Sequence, residues 1–148
     1  MQVKVKKLNS SAQIPKYMTS GSSGFDLASV ANLTIAPGET RTVPTGLSFA
    51  VPEGYEMQVR PRSGLSLTTK LRVANSPGTV DADYRGEVMI IMHNTGADAI
   101  KISAGDRVAQ GVIVPVKQAI FLEVEDLDAT ERGSGAFGST GVKVEKKD

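Results

Sequence analysis

Hydrophobic and polar positions alternate along this chain in short runs, with almost no helical period. Such runs, bounded by Gly, Pro, Asn or Asp, are typical of β-strands. Strands are predicted at residues 3–8, 33–35, 41–43, 47–51, 55–59, 71–74, 88–92, 107–116 and 120–124. The only predicted helical turn covers residues 63–70. Regularly spaced strands of this kind favour an all-β fold of the sandwich, jelly-roll or barrel type.

Residues 88–92 depart from alternation because all five are apolar. A strand that is apolar on both faces must be covered on both faces. Either another copy of the chain covers the second face, or the strand lies at the centre of a thick sandwich. The residues fit both alternatives. The strand pattern ends before Asp126, which predicts a β-domain over residues 1–125 and a flexible C-terminal arm over residues 126–148.

The amino-acid composition excludes several classes of function. The 148 residues suit one domain, and the net charge of +1 gives no reason to expect a nucleic-acid partner. There is no cysteine, which excludes disulfide scaffolds, thiolate zinc sites and cysteine nucleophiles. The single histidine, His93, ends an apolar run and is expected to be structural. With no membrane-length apolar stretch or leader, the predicted location is cytoplasmic, while nuclear, organellar and viral settings stay open.

A glycine-rich stretch at residues 132–141 contains a G-x-G-x-x-G pattern that begins at Gly133. A dinucleotide-binding fold is rejected, because only seven residues follow Gly141, too few for the required helix and second strand. A Walker motif is rejected because no lysine follows the pattern. Backbone N–H groups and the Arg132 guanidinium suit a polyphosphate, and Phe137 suits a planar ligand. The same composition is also typical of a linker.

Residues 75–87 (N-S-P-G-T-V-D-A-D-Y-R-G-E) combine turn residues with a short β-compatible stretch. They predict a hairpin whose unpaired backbone groups can read the rim of a planar base, with Tyr84 offering a flat face for a sugar or base. Asp81 and Asp83 lie on one face of the extended stretch, so either carboxylate can serve as a base. A solvated charged hairpin and a weak D-x-D metal pair are the alternatives.

Three shorter motifs carry polar groups at predicted strand ends. P-R-S-G-L (residues 61–65) combines a guanidinium, a hydroxyl and glycine, which suits an oxyanion or phosphate. G-D-R-V-A-Q (residues 105–110) is a turn into an apolar strand, a common structural feature. S-G-F-D-L (residues 23–27) places Asp26 within a predicted apolar strand, where a carboxylate is usually an inward hydrogen-bonding group or a structural anchor.

These five segments, in this order, resemble the five motifs of the trimeric deoxyuridine triphosphatases, the dUTPase family. The resemblance covers roughly residues 3–141. It implies a distorted jelly-roll, or β-clip barrel, assembled as a homotrimer whose three active sites each draw on all three chains. It also implies that the arm closes over a neighbour's site and that dUTP is hydrolysed to dUMP and pyrophosphate. This reaction keeps uracil out of DNA and supplies dUMP for thymidylate synthesis.

The resemblance assigns roles that the residues alone leave open. It makes Asp81, rather than Asp83, the general base that activates water against the α-phosphorus. Mg²⁺ is expected mainly on the phosphate oxygens, with Asp26 touching its hydration shell. The substrate-binding positions implied by similarity are Arg62, Ser63, Gly64, Asn75, Gly78, Thr79, Val80, Asp81, Tyr84, Met89, Gln110, Arg132, Phe137, Gly138, Ser139 and Thr140.

One residue departs from the family pattern, and two rival functions remain. Ala136 stands where the arm usually has glycine; if a positive φ is needed there, alanine costs about 1 kcal/mol.

A deoxycytidine triphosphate deaminase on the same fold is the enzymatic rival, which the R-S-G and D-A-D-Y segments disfavour. A jelly-roll binding module without catalysis is the other rival, which the intact Asp81 disfavours.

Overall fold

A computed structural model of the chain describes residues 1–136, in which antiparallel strands predominate over a single short helix. The elements, in chain order, are β1 (Lys4–Lys7), β2 (Phe25–Ala28), β3 (Leu33–Ile35), β4 (Thr40–Pro44), β5 (Leu47–Ala50), β6 (Tyr55–Arg60), α1 (Ser63–Thr68), β7 (Leu71–Val73), β8 (Gly78–Val80), β9 (Met89–Asn94), β10 (Ile100–Ile102) and β11 (Arg107–Pro115). The expected all-β class is confirmed, as is the helical turn near Ser63.

The strands form four antiparallel sheets. The largest has the order β2-β11-β6-β8, and a three-stranded sheet has the order β4-β9-β7. Two pairs, β1-β5 and β10-β3, complete the set within the described residues. Neighbours in space are mostly distant in sequence, so residues from separate segments meet at the ends of the central strands.

Alternating apolar residues on these strands supply one hydrophobic core. Leu27, Ile35, Val43, Met57 and Ile90 come from five different strands and are fully buried. The burial alternates along β2 and β6, as expected where one face packs on the core and the other meets solvent. Most of the runs predicted from the sequence do form strands, because one face of each is apolar and packs on the core.

One predicted strand is wrong, and one strand was missed. Residues 120–124 form no strand, and Ile120, Phe121 and Leu122 are exposed. β10 was not predicted, although its sequence Ile-Lys-Ile alternates in the same way as the Leu-Thr-Ile of β3. Residues 88–92 are confirmed as strand-forming from Met89, and that residue is 47% exposed while Ile90 is fully buried. One face of β9 is thus left partly uncovered in a single chain.

The chain divides into two compact units, of which the first is Met1–Lys117 and the second begins at Gln118. The first unit ends before residue 125, where the sequence places the domain boundary, and no strand follows β11 as far as residue 136. No helix among residues 1–136 has the length and apolar character needed to cross a membrane.

Asn94 is a buried polar residue that joins β9 to its surroundings. Its Nδ2 donates to the carbonyls of Ile35 (3.0 Å) and Asp98 (2.8 Å), and its Oδ1 accepts from the Gly96 N–H (2.9 Å). The side chain is fully buried. It therefore satisfies the buried carbonyl of Ile35 and links it to the turn that follows β9.

Asn94→Asp is expected to lower the free energy of unfolding by about 3 kcal/mol, because a carboxylate of the same shape would face two carbonyl oxygens. Urea unfolding at a fixed protein concentration measures the change. Asn32→Asp is the matched control, since Asn32 is exposed and uses only Oδ1, as the acceptor from the Ala104 N–H. Equal midpoints for the two variants would contradict this role for Asn94.

Candidate active site

A polar pocket of about 290 Å³ lies where β2, β11 and the start of α1 meet. Four predicted substrate residues (Arg62, Ser63, Gly64 and Gln110) line it together with Asp26. The lining residues that complete it are Met18, Ser22, Gly24 and Arg107. Three of the five sequence motifs, separated by up to about eighty positions, therefore contribute to one cavity.

Two arginines hold the carboxylate of Asp26. Nε of Arg62 forms an ion pair with Oδ1 at 2.7 Å, and Nη1 of Arg107 donates a hydrogen bond to Oδ2 at 2.9 Å. Arg62 also donates through Nη1 to the Arg107 carbonyl at 3.0 Å. The two guanidinium groups and one carboxylate leave a net positive charge beside the pocket, which favours an anionic ligand.

Gln110 is held in the pocket wall by two close neighbours. Its Nε2 donates to the Pro61 carbonyl at 2.9 Å, which links β11 to the segment that carries Arg62. Gly24 lies directly against Oε1 of Gln110, with no space between them for a Cβ atom. A glycine at position 24 is therefore required for this orientation of the Gln110 amide.

Gly24→Ala is expected to turn Gln110 out of its present orientation and to lower kcat/KM by about tenfold, with little loss of stability. The stability change is small because the displaced atom is the end of a flexible side chain. Gly21→Ala is the control, since an added Cβ there meets no atom within 4 Å. Unchanged kinetics in Gly24→Ala would show that the present Gln110 orientation is not needed.

The segment 75–87 is not a hairpin, which corrects the prediction. β7 pairs with β9, whereas β8 pairs with β6 in the largest sheet, so the turn at residues 74–77 passes between two sheets. β8 is an edge strand of that sheet. One row of its backbone groups is bonded to β6, and the other row faces away from the sheet, as a base-reading edge requires. Val80 is buried, and Thr79 is exposed.

Hydrogen bonds fix the part of this segment that follows β8. Tyr84 donates through its hydroxyl to the Glu87 carbonyl at 3.0 Å, and its ring lies so close over Gly86 that no Cβ fits there. The Glu87 carboxylate accepts from the Gly46 N–H at 2.7 Å, and Ser48 donates to the Arg85 carbonyl at 2.7 Å. The Tyr84 ring is thus held in one position while remaining 45% exposed.

Asn75 and Met89 also have defined surroundings. The Asn75 amide packs on Gly78, where an added Cβ would meet Nδ2 at 3.0 Å. Met89 pairs with Pro44 at the start of β9 and is half exposed. Asp81 and Asp83 are both exposed. None of these residues lines the pocket that holds Gln110.

The strand register shows that the pocket residues around Gln110 lie apart from the segment that contains Asp81 within one chain. Gln110 is opposite Arg60, and Val80 is opposite Met57, which brings Asp81 level with Glu56. Gln110 and Asp81 are therefore separated by two strand spacings across the sheet and four residues along it, about 16 Å between backbones. The predicted base and the phosphate-side pocket do not form one compact site in a single chain.

The described part of the arm contains two successive turns. The N–H of Gly133 donates to the Thr130 carbonyl, and Nε of Arg132 donates to the Gly135 carbonyl at 2.9 Å. Gly133 has φ of +51°, a conformation that favours glycine. Four predicted substrate residues lie outside the described residues: Phe137, Gly138, Ser139 and Thr140.

The site residues missed by sequence reasoning are Met18, Ser22, Gly24 and Arg107. Gly24 and Arg107 lie inside two of the quoted motifs, where their neighbours Asp26 and Gln110 were selected instead. The sequence gives no signal for Met18 and Ser22, because nothing predicts that the preceding loop reaches the pocket.

An all-β chain with a cationic, hydroxyl-lined pocket and a separate backbone edge has the features expected of a protein that binds nucleotide phosphates. The dUTPase family model matches residues 10–141. Curated relatives named deoxyuridine 5'-triphosphate nucleotidohydrolase include those of Nautilia profundicola (50% identical over 141 residues, 95% of this chain and 99% of the relative) and Caulobacter vibrioides (53% over 138 residues, 90% and 89%).

Solved structures agree with the sequence comparisons. A dUTPase variant of Staphylococcus bacteriophage 80alpha with dUpNHpp has a TM-score of 0.89 at 28% identity, covering 95% of this chain and 99% of the other. A dUTPase variant of phage phi11 of S. aureus, described with a structural Mg(II) ion, has a TM-score of 0.80 at 25% identity, covering 85% and 98%.

The chain belongs to the dUTPase family. The family expected from the five motifs is confirmed, and so are the jelly-roll fold class and the enzyme class, dUTP diphosphatase.

Proposed function

We propose that the protein hydrolyses dUTP to dUMP and pyrophosphate at sites shared between neighbouring chains of a homotrimer. The observation that carries this proposal is the division of the motifs into two groups, a cationic pocket and a backbone edge. Each group suits one end of a deoxynucleoside triphosphate. The dUpNHpp bound to the phage 80alpha relative is a ligand of this class.

Uracil is read by the free edge of β8 and by Asn75. Backbone donors and acceptors at Gly78, Thr79 and Val80 match the alternating groups on the uracil rim. Cytosine presents an amine where uracil presents a carbonyl oxygen, so each mispaired buried group costs about 1–3 kcal/mol. Because the edge belongs to a sheet, it cannot rotate to accept the wrong base.

Tyr84 and Met89 surround the deoxyribose. The Tyr84 ring is held by the bond from its hydroxyl to the Glu87 carbonyl and by its close approach to Gly86. A ribose 2′-hydroxyl would collide with this fixed ring, which excludes ribonucleotides by shape. The half-exposed Met89 supplies an adaptable apolar contact beside the sugar.

The triphosphate lies in the cationic pocket. Arg62 and Gln110 donate to phosphate oxygens, and Ser63 and Gly64 lie at the first turn of α1 beside them. Arg132 and residues 138–140 of a neighbouring chain's arm close on the outer phosphates. Phe137 of that arm covers the uracil ring and excludes water from the site.

Asp81 of another chain takes a proton from the water that attacks the α-phosphorus. An aspartate carboxylate that is ionised at neutral pH can accept this proton when the water is held between it and the phosphorus. The leaving group is pyrophosphate, bound by the cationic pocket.

Mg²⁺ fits as an ion carried by the triphosphate. Among residues 1–136 there is no group of three or more His, Asp or Glu side chains that would cage a metal. Asp26 is the pocket's one carboxylate; its Oδ1 is paired with the Arg62 guanidinium, and its Oδ2 accepts a hydrogen bond from Arg107. Each oxygen keeps a lone pair for a water of the ion's hydration shell. The bound ion would neutralise charge that develops on the phosphate oxygens.

Uncovered apolar surface supports the trimer. Met89 is 47% exposed on β9, and the run Ile120, Phe121 and Leu122 has side chains that are at least 83% exposed. An apolar run of this kind is expected to bury itself against another chain. Sedimentation equilibrium is expected to give three times the chain mass of 15.6 kDa.

Phosphorus NMR in oxygen-18 water tests the reaction. With dUTP and Mg²⁺, dUMP and pyrophosphate are expected, with the label in dUMP because water attacks the α-phosphorus. Parallel samples of dTTP, dCTP and UTP are expected to remain intact. Label in the pyrophosphate would contradict attack at the α-phosphorus, and ammonia release from dCTP would indicate the deaminase instead.

A further inference from the structure

Four consecutive residues where β4 passes into β5 hold the backbone that follows Tyr84. Each of residues 45–48 makes one hydrogen bond to the segment 85–88, and we call these four bonds the brace. They join Thr45 Oγ1 to the Val88 carbonyl (2.6 Å), the Gly46 N–H to Glu87 Oε1 (2.7 Å), the Val88 N–H to the Leu47 carbonyl (2.8 Å) and Ser48 Oγ to the Arg85 carbonyl (2.7 Å). The side-chain bonds join residues 37 to 43 positions apart, so no local motif reveals the brace.

The brace encloses the two contacts that support the Tyr84 ring. The Tyr84 hydroxyl donates to the Glu87 carbonyl, and the ring packs on Gly86. Both supports lie between Arg85 and Val88, the two residues whose carbonyls are bonded to the ends of the brace. Any shift of this backbone would therefore move the ring with it.

The other side of the brace is anchored in the fold. Thr45 and Ser48 are buried. Gly46 has φ of +66°, and its carbonyl accepts from the Leu8 N–H at 2.8 Å. An added Cβ at Gly46 would meet the Cβ of Ala12 at 2.9 Å, so the neighbouring chain is packed closely against this turn. The brace thus connects the Tyr84 segment to a rigid part of the domain.

We propose that Ser48 and Glu87 are positioning residues that set the selectivity for deoxyribose over ribose by fixing Tyr84. This inference rests on the proposed function, in which the Tyr84 ring excludes a ribose 2′-hydroxyl by shape. A ring excludes a hydroxyl by shape only if it does not yield, which requires that its own supports are held by packing and hydrogen bonds. Neither residue lines the pocket that holds Gln110, so both act through Tyr84.

Rates of dUTP and UTP hydrolysis by the Mg²⁺-containing trimer test this role. Ser48→Ala is expected to lower the ratio of kcat/KM for dUTP to kcat/KM for UTP by about fivefold, because one hydrogen bond of the brace is lost. The change is expected mainly as a rise in kcat/KM for UTP, since a ring that yields admits the 2′-hydroxyl. A residue that served stability alone would change the two rates together.

Ser29→Ala is the matched control. Ser29 is also a buried serine whose hydroxyl donates to a backbone carbonyl, that of Ala31 at 2.8 Å, and it has no bond to the Tyr84 segment. Urea unfolding is expected to show similar losses of stability for Ser48→Ala and Ser29→Ala. The ratio of the two kcat/KM values is expected to change only in Ser48→Ala.

Two substitutions of Glu87 give an independent test. Glu87→Gln keeps a side-chain oxygen that can accept from the Gly46 N–H, whereas Glu87→Ala removes the acceptor. The ratio is expected to stay near that of the unmodified protein in Glu87→Gln and to fall in Glu87→Ala. If Ser48→Ala does not fold, this pair of variants decides alone.

The outcomes separate the inference from the function on which it rests. An unchanged ratio in folded Ser48→Ala or Glu87→Ala, or an equal change in Ser29→Ala, would overturn the inference. If the unmodified protein hydrolyses UTP as readily as dUTP, then the proposed function is at fault.

Discussion

Asp81→Asn is expected to lower kcat for dUTP by about 1,000-fold while leaving the affinity for dUpNHpp nearly unchanged. Asparagine keeps the size and hydrogen-bonding reach of aspartate but cannot take a proton from water. Asp81 is exposed at the end of β8, so the exchange leaves no buried group unpaired. Steady-state release of pyrophosphate and calorimetry with dUpNHpp measure the two quantities.

Asp83→Asn is the control for this experiment. Asp83 lies two residues from Asp81 and is also exposed, so the two variants change the charge of the segment equally. Asp83→Asn is expected to retain nearly full activity. If it abolishes turnover and Asp81→Asn does not, then the assignment of the base is wrong.

Truncation after Ala129 is expected to leave a folded trimer and to lower turnover by about 100-fold or more. The change removes Arg132 and the glycine-rich motif, which we propose to close over the phosphates and the uracil ring. Residues 1–117 form a compact unit of their own, so we expect folding not to depend on the removed residues. Turnover, chain mass in solution and thermal unfolding are measured on the same preparation.

A shorter truncation after Val142 keeps the whole motif and serves as the control. It is expected to behave like the full-length protein, because it removes only the last six residues, five of which are charged. A monomeric or unfolded product from the truncation after Ala129 would show that the arm is part of the fold rather than of the catalytic site.

The strands with a clear apolar face could be predicted, and the exceptions have physical reasons. Residues 120–124 have strand-like composition but no pairing partner within the described chain, and β-propensity alone does not form a strand. β10 has only three residues and gains its structure from pairing with β3. In both cases the tertiary environment, rather than the local sequence, decides the outcome.

The site was predictable to the level of motifs but not of geometry. The motif containing Gln110 was recognised, yet a β-bulge between Arg107 and Ala109, which brings Arg107 beside it, depends on pairing with β2, which sequence spacing does not reveal. The segment containing Asp81 was expected to be a hairpin because its turn residues are local signals. Its actual partner, β6, is about twenty residues away.

Mixed trimers test the shared site most directly. Asp81→Asn and Arg62→Gln each disable one half of the proposed site, and each is expected to be nearly inactive alone. Equal amounts of the two chains, unfolded together and refolded, should assemble at random. Each site takes Arg62 from one chain and Asp81 from another, so about one quarter of the sites regain both intact residues.

The measurement is the rate of dUTP hydrolysis by the refolded mixture, relative to unmodified protein treated in the same way. Recovery of about one quarter of that rate is the expected result. A mixture no more active than either variant alone, with trimers formed, would contradict a site built from separate chains.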